Sequence, residues 1–405
     1  MKILLITPYL PHSRVTHAGG KFIYDLIARL KERGFQVSLI SFFEPGESRY
    51  LDSVKPLCEA SVFLARAMVF PKTLVEYFLE RPFLCAIKLF LFFFESMVQK
   101  IRLTRSMDKM TRETDFDVLQ VEYSIMGLIM KKIKFNGLKV LDLQDLKVKP
   151  AVRELSSEKN AVLRSLRGLK VRAVEKMEIS FCGKFDCLMV KSEFDRKILN
   201  GFGDFDIKVA PLGVVVPETR IQAGEREENS VLFVGAMFRD FNENAVLYFV
   251  NEVMPRLNKG SKDVKFYIVG DRPSDRVLGL SSGSVTVTGY VEDLARFYNR
   301  CRVFVAPLFI GGGQIFKVLE AMSFGVPVVA TSVANEGILA EDGREILIAD
   351  TPGEFCEKIT GLLENGPLWD EISRQARVFV EKTYSWDRVI DRYMEVYKKP
   401  QEGTG

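Results

Sequence analysis

Residues 303–331 read VFVAPLFIGGGQIFKVLEAMSFGVPVVAT, setting out a buried strand, a glycine loop, a short helix and a second buried strand in succession. Residues 303–306 form a short apolar run of the kind that suits a strand covered on both faces. Gly311, Gly312 and Gly313 follow, where a turn that must admit a ligand needs residues without a Cβ. The composition then predicts a helix over residues 314–324, stopped by Gly325 and Pro327, and a parallel strand over residues 326–330. The result is one βαβ unit with a phosphate-sized gap between its first strand and its helix. Bare N–H groups at a helix start favour an anion, and glycines let a diphosphate approach the backbone closely. Gln314 and Ile315 share that helix start with the three glycines.

Lys317 falls in the first turn of the predicted helix, where the macrodipole disfavours a cation by roughly 0.3 to 1 kcal/mol. A bound phosphate reverses that sign. Glu320 lies three residues on, on nearly the same face, and its carboxylate can accept hydrogen bonds from sugar or ribose hydroxyls. The two also read as a plain surface ion pair, but that reading explains neither the three glycines nor the strand on each side.

The same pattern recurs outward from this unit. Residues 2–7 (KILLIT) read as a first strand, residues 8–18 as a loop, and Gly19-Gly20 as the opening of a helix over residues 21–33. Gly34 caps that helix and residues 36–41 form a second strand. Further short strands are predicted over 117–122, 139–143 and 185–191, the last followed by a helix over 192–199. The second half restarts with a strand over 231–234, Gly235, and a helix over 244–257. Strands over 265–269 and 285–288 follow, the second ending in Gly289-Tyr290-Val291. A chain of 405 residues exceeds one ordinary core and suits two domains of about 200 and about 170 residues.

Glu320-Ala321-Met322 and Gly325-Val326-Pro327-Val328-Val329-Ala330-Thr331 match the second half of a known donor-site signature. On these residues, and on the strand and glycine pattern along nearly its whole length, the chain resembles the retaining, nucleotide-sugar-dependent glycosyltransferases of family four. The first glutamate of that signature is replaced by Gly312, as in a subgroup resembling sugar transferases of exopolysaccharide and exosortase-associated clusters. The resemblance implies an α/β, GT-B fold: two Rossmann-like doubly wound domains facing a cleft. Residues 1–212 would be the acceptor domain, with a C-terminal helix over 386–400 packing back on it, and residues 213–385 the nucleotide-sugar donor domain. It further implies that Gly19 and Gly20 lie near the donor diphosphate, and that Tyr290 and Val291 hold the nucleobase through backbone groups. Many relatives grip the diphosphate with an Arg and a Lys after the first donor-domain strand; this chain has Gly235-Ala236-Met237 and then Arg239. Lys317 becomes the expected principal phosphate ligand, and Glu320 the ribose ligand.

On the acceptor side the resemblance places the loop that holds His12 and His17, although histidines in a polar loop are more often solvated. The family's usual pocket histidine is absent, and Gln144 or Asp145 most nearly takes its place. Asp142 and Asp145 could orient acceptor hydroxyls, while Asp145 fits equally well as a helix cap. At the domain crossover Leu212 stands where the family often has Asn. The implied chemistry is sugar transfer with retention, from a UDP- or GDP-linked sugar to a glycan or lipid-linked acceptor. No cofactor beyond that co-substrate and no metal is expected, and nucleic acid is not among the expected partners. Two alternatives share the fold: a UDP-sugar 2-epimerase, which calls for a richer set of His and carboxylates, and a non-catalytic sugar-binding relative, suggested by the missing glutamate and histidine.

The six cysteines, Cys58, Cys85, Cys182, Cys187, Cys301 and Cys356, contain no Cys-x2-Cys pair, so neither a zinc site nor a disulfide framework is expected. Met1-Lys2 runs straight into a strand, so no cleavable secretory signal is expected and the setting reads as cytoplasmic. Charge is polarised: residues 1–212 hold 35 Lys+Arg against 25 Asp+Glu, and the remainder 22 against 28. Residues 83–98 (FLCAIKLFLFFFESMV) are too short and too interrupted to span a bilayer that needs about 20 apolar residues. Followed by Lys100, Arg102, Arg105, Lys109 and Arg112, they either lie on an anionic membrane surface, which would place the protein on the inner face of the plasma membrane, or simply face the core.

Overall fold

The computed structural model describes the chain except residues 13, 16–17, 67–81, 125, 127–134, 145, 147, 159, 260–262, 311–312 and 399–405. For residues 18, 82–96, 150, 153–154 and 157 it describes the backbone alone. The apolar runs form two sheets in which every described pairing is parallel. The first contains β1 (Lys2–Thr7), β2 (Gln36–Phe43), β3 (Ser61–Ala65), β4 (Val118–Glu122), β5 (Leu138–Leu143), β6 (Cys187–Val190) and β7 (Ile207–Val209). Its order is β3-β2-β1-β4-β5-β6-β7. The second contains β8 (Ser230–Val234), β9 (Lys265–Val269), β10 (Val285–Gly289), β11 (Val303–Ala306), β12 (Val328–Ala330) and β13 (Leu347–Ile348), in the order β10-β9-β8-β11-β12-β13. Ile3 to Ile6 and Val303 to Ala306 are wholly buried, as strands covered on both faces must be.

Each sheet grows outward in one direction, then returns to its middle and grows the other way. The reversal falls between β1 and β4 in the first sheet and between β8 and β11 in the second. In doubly wound folds, loops at the carboxyl ends of the strands flanking this reversal diverge and leave room for a ligand. By contact, the chain divides into two units: residues 1–190 with 198–209 and 393–405, and residues 191–197 with 210–392. Helix Trp386–Tyr397 therefore starts in the second unit and ends in the first.

The expected strands are present, with ends shifted by a few residues. β3, β7 and β13 were not among them, being short and lacking a clean apolar alternation. Two helix starts differ by three or four residues, for physical reasons. The first helix, Ala18–Glu32, begins before Gly19-Gly20 rather than after it. A Cβ on Gly19 would lie 1.7 Å from the Tyr123 hydroxyl, so the glycine allows close packing inside a helical turn. The helix expected over 244–257 begins at Asp240, because Arg239 adopts an extended N-cap conformation and Asp240 and Glu243 suit the positive end of the dipole. It is continued by a π-helical turn, Phe249–Val253, and by Met254–Lys259.

Candidate functional site

At the carboxyl end of β8, Gly235 N–H donates to the Val269 carbonyl at 2.9 Å. Gly270, with φ +154°, leaves β9 so close beneath it that a Cβ there would sit 1.7 Å from the Gly235 oxygen. Gly270 N–H in turn donates to Gly289 O, at the end of β10. Three strand ends therefore close on one another through bare backbone. Beside them, at the end of β11, Gly313 takes φ +113°, a conformation that strains any side-chain-bearing residue. Helix Phe316–Ser323 starts three residues later.

Lys317 reaches from the first turn of that helix to Gly235. Its ammonium donates to Asn242 Oδ1 at 2.6 Å, lies 4.3 Å from the centroid of the Phe233 ring, and is 2.6 Å from where a Gly235 Cβ would be. Asn242 is buried, with its amide held by the Ala236 carbonyl at 2.9 Å. Burial, and then the nearby Arg239 guanidinium, push the Lys317 ammonium down to about 7, with Glu320 pulling the other way. Lys317 is thus a cation held against glycine backbone and repelled by a second one, with a neutral amide as its hydrogen-bond acceptor. A bound anion relieves both the desolvation and the repulsion. Arg239 is exposed, with its guanidinium 5.9 Å from the ring centroids of both Phe238 and Phe241.

Glu320 is one helical turn on and half-buried, accepting from the Tyr298 hydroxyl at 3.3 Å. Burial and then the Glu320 charge hold that phenol well above its ordinary value. Tyr298 and this end of the helix are braced by buried Arg226, which donates to Cys301 O at 2.9 Å and Phe324 O at 3.0 Å. Gln314 turns its side-chain oxygen inward, accepting from Leu212 N–H at 2.7 Å. Ile315 is the helix N-cap, with φ −87° and ψ 90°. Tyr290 is exposed after β10 and Val291 is half-buried against the core of its unit. Gly311 and Gly312 lie outside the described residues.

In the first unit, Gly20 is buried in the opening turn of its helix beside Gly19. Asp142, expected to face an acceptor, is instead fully buried and accepts from the Tyr393 hydroxyl. Gln144 Nε2 donates to Glu122 at 2.7 Å. Gln120 also donates to Glu122, at 2.5 Å, and accepts from the Tyr397 hydroxyl. These carboxylates and amides thus anchor two tyrosines of the last helix through buried hydrogen bonds. His17 and Asp145 lie outside the described residues. His12 is buried at the edge of a pocket of about 350 Å³, beyond the carboxyl ends of β1, β2 and β3. Its ring stacks on Tyr50 at 4.2 Å, and Nε2 lies 3.8 Å from Glu47. Burial, then Arg49, hold the imidazole below its usual value. Arg14, Arg49 and Arg66 line the same pocket, with Arg66 lying over the Tyr9 ring at 5.1 Å.

Sequence reading missed Asn242, Phe233, Tyr298 and Arg226. The one available signal was Asn242 itself, an amide in the first turn of a helix, where its type more often caps than sits inside. Among the described residues no cluster of His, Cys, Asp and Glu fits a metal ion.

Residues 228–365, which hold Gly235, Arg239, Gly313, Lys317 and Glu320, match the family model described as Glycosyl transferases group 1. Over 170 residues the chain is 27% identical to an uncharacterized 44.6 kDa protein in the cps region of Klebsiella pneumoniae, covering 40% of this chain and 44% of that one. The chain spans about half the length of the curated relatives it matches. Among solved structures, sucrose-phosphate synthase from Thermosynechococcus elongatus superposes with a TM-score of 0.72 at 15% identity, covering 98% of each chain. Anabaena HepE in complex with UDP and glucose superposes with a TM-score of 0.63 at 13% identity, covering 99% of this chain and 100% of that one. These likenesses give both units the GT-B fold of two Rossmann-like domains.

Proposed function

We propose that this chain is a glycosyltransferase that takes a nucleoside-diphosphate sugar, UDP- or GDP-linked, as donor and passes the sugar with retention to a glycan or lipid-linked acceptor of a cell-surface polymer. The observation that carries the reading is the Lys317 ammonium, held over Gly235 by Asn242 Oδ1 at 2.6 Å, at the strand reversal of the second sheet. In this reading the diphosphate lies across Gly235, Gly313 and the N-terminus of helix Phe316–Ser323, bound by Lys317, Arg239 and backbone N–H groups. Glu320, oriented by Tyr298, accepts from the ribose hydroxyls, and the backbone at Tyr290 and Val291 meets the base. The bond from the anomeric carbon to the diphosphate oxygen breaks with its electron pair leaving on the diphosphate. The acceptor oxygen arrives on the same face, and its proton passes to the departing phosphate oxygen. No protein nucleophile is required, and no cofactor beyond the nucleotide sugar enters the reading.

His12 and the arginine-lined pocket beside it are the acceptor-side candidates on geometry, whereas Asp142 accepts from Tyr393 of the last helix and Gln144 donates to Glu122. Among the described residues no helix is long and apolar enough to cross a membrane. The reading places the protein in the cytoplasm, at the anionic inner face of the plasma membrane, on the basic balance of residues 1–212. Of the candidate contact segment 83–98, the side chains of residues 83–96 lie outside those described. The test is a thermal-stability screen of UDP- and GDP-sugars, followed by release of nucleoside diphosphate from whichever binds. A ligand at 100 to 1,000 times its Kd stabilises by about 2.7 to 4.1 kcal/mol. Binding with slow sugar hydrolysis supports a transferase, conversion to a second nucleotide sugar supports an epimerase, and binding without turnover under any acceptor supports a sugar-binding relative. No stabilisation by any member of the panel refutes the donor assignment.

A further inference from the structure

Helix Ala161–Cys182 has two apolar faces, and only one is covered. Val171, Val174 and Met177 pack against the core of the first unit, and Phe181 and Cys182 are buried in it. On the other side Val162 is 71% exposed, Leu166 58% and Leu169 60%. Val162, Leu166, Leu169 and Ala173 recur at spacings of four, three and four, which puts them in one line along the helix. A buried helix needs one such face; a second, turned to water, is unfavourable unless something covers it.

The charge around this stripe says what that cover is. Residues 161–176 contain five cations, Arg164, Arg167, Lys170, Arg172 and Lys176, and one acid, Glu175. With Arg167 paired to Glu158 at 3.0 Å, the segment still carries an excess of positive charge. A second copy of the same helix would meet leucine with leucine but cation with cation. An anionic bilayer satisfies both features: the leucines enter the acyl boundary while the cations lie against lipid phosphates. The first turns of the helix, where the exposed leucines lie, are capped by Asn160, whose side chain accepts from Val162 and Leu163 N–H, so the stripe is presented on ordered helix.

We infer that helix Ala161–Cys182 is the element that seats this protein on an anionic membrane surface. The inference rests on the peripheral-membrane part of the function proposed above, and it names a different segment from residues 83–98. The test is co-sedimentation of the full chain with vesicles of equal parts phosphatidylglycerol and phosphatidylcholine, against phosphatidylcholine alone. Two variants accompany the wild type: Leu166→Ser with Leu169→Ser, and Arg164→Gln with Arg172→Gln and Lys176→Gln. Both change exposed side chains, so melting temperature and stabilisation by UDP are expected to match the wild type. The wild type should bind the anionic vesicles, lose binding as salt rises, and ignore phosphatidylcholine. Each variant should bind roughly tenfold more weakly or worse. Anionic-vesicle binding that survives undiminished in both variants overturns the role of this helix while leaving membrane association standing. A wild type that binds neither vesicle overturns both. A wild type that is dimeric without lipid and made monomeric by the leucine substitutions also overturns the proposal, in favour of a second copy. UDP stabilisation, read in parallel, keeps the donor-site reading separate from every one of these outcomes.

Discussion

Replacing Lys317 with methionine should make the free protein more stable and unable to hold a nucleotide. Methionine keeps the length of the side chain and its packing on Phe233 while removing the charge. In the folded protein the ammonium is held near 7, against 10.5 as its ordinary value, mainly by burial and secondly by Arg239. The folded state therefore binds this proton less tightly than the unfolded chain. A depression of that size corresponds to a folding penalty on the order of 4 kcal/mol at neutral pH. Against this, Asn242 Oδ1 loses the donor it holds at 2.6 Å, a buried acceptor left unpaired at a cost of about 1 to 3 kcal/mol. The net gain is about 1 to 3 kcal/mol, or roughly 2 to 12 °C in melting temperature for a domain of this size. The penalty is complete below pH 7 and fades as pH rises from there towards 10.5, where the unfolded chain also sheds the proton. The advantage of the variant should shrink in the same way between neutral and alkaline pH. Scanning calorimetry across pH, with UDP titrations at neutral pH, reads both effects. A variant that melts below the wild type, or shows a gap independent of pH, refutes the buried-charge argument; wild-type UDP affinity refutes the phosphate role.

Glu320→Gln should weaken UDP binding while leaving inorganic diphosphate almost unaffected, because the carboxylate is assigned to ribose; equal weakening of both ligands by calorimetry points to a general electrostatic effect instead. Gly235→Ala places a Cβ 2.6 Å from the Lys317 ammonium and 2.9 Å from Asn242, so nucleotide affinity should fall at least tenfold with a stability loss of about 1 to 3 kcal/mol. Unchanged UDP affinity in that variant would show that Lys317 does not need its observed position. Tyr393→Phe removes the donor to buried Asp142 and should cost about 1 to 3 kcal/mol in urea unfolding without altering UDP affinity. A loss of nucleotide binding there would tie the network under the last helix to the donor site.

Much of the fold was legible because a doubly wound sheet announces itself locally. Strands covered on both faces must be apolar throughout, and the glycines at their ends mark where the backbone turns or crowds. The VFVA and KILLIT runs carry that information without help from the rest of the chain. Lys317 and Glu320 were legible for a related reason: helical spacing puts them on adjoining positions of one turn. Asp142 misled because an acid at the end of a strand looks the same whether it faces solvent or a tyrosine located 251 positions away.

By itself, then, the sequence determined the two Rossmann-like sheets, the glycine loop before helix Phe316–Ser323 and the presence of a cation in its first turn. Only the tertiary structure decided what that cation touches: Asn242 lies 75 positions from Lys317, and Phe233 and Gly235 lie on another strand end. It likewise decided which apolar face of helix Ala161–Cys182 is covered, since periodicity shows both faces and packing chooses between them. The physical reason is the same in each case. Strand, helix and turn follow from neighbours in the chain, whereas the pKa of a lysine, the partner of an aspartate and the exposure of a leucine depend on groups brought near only by folding.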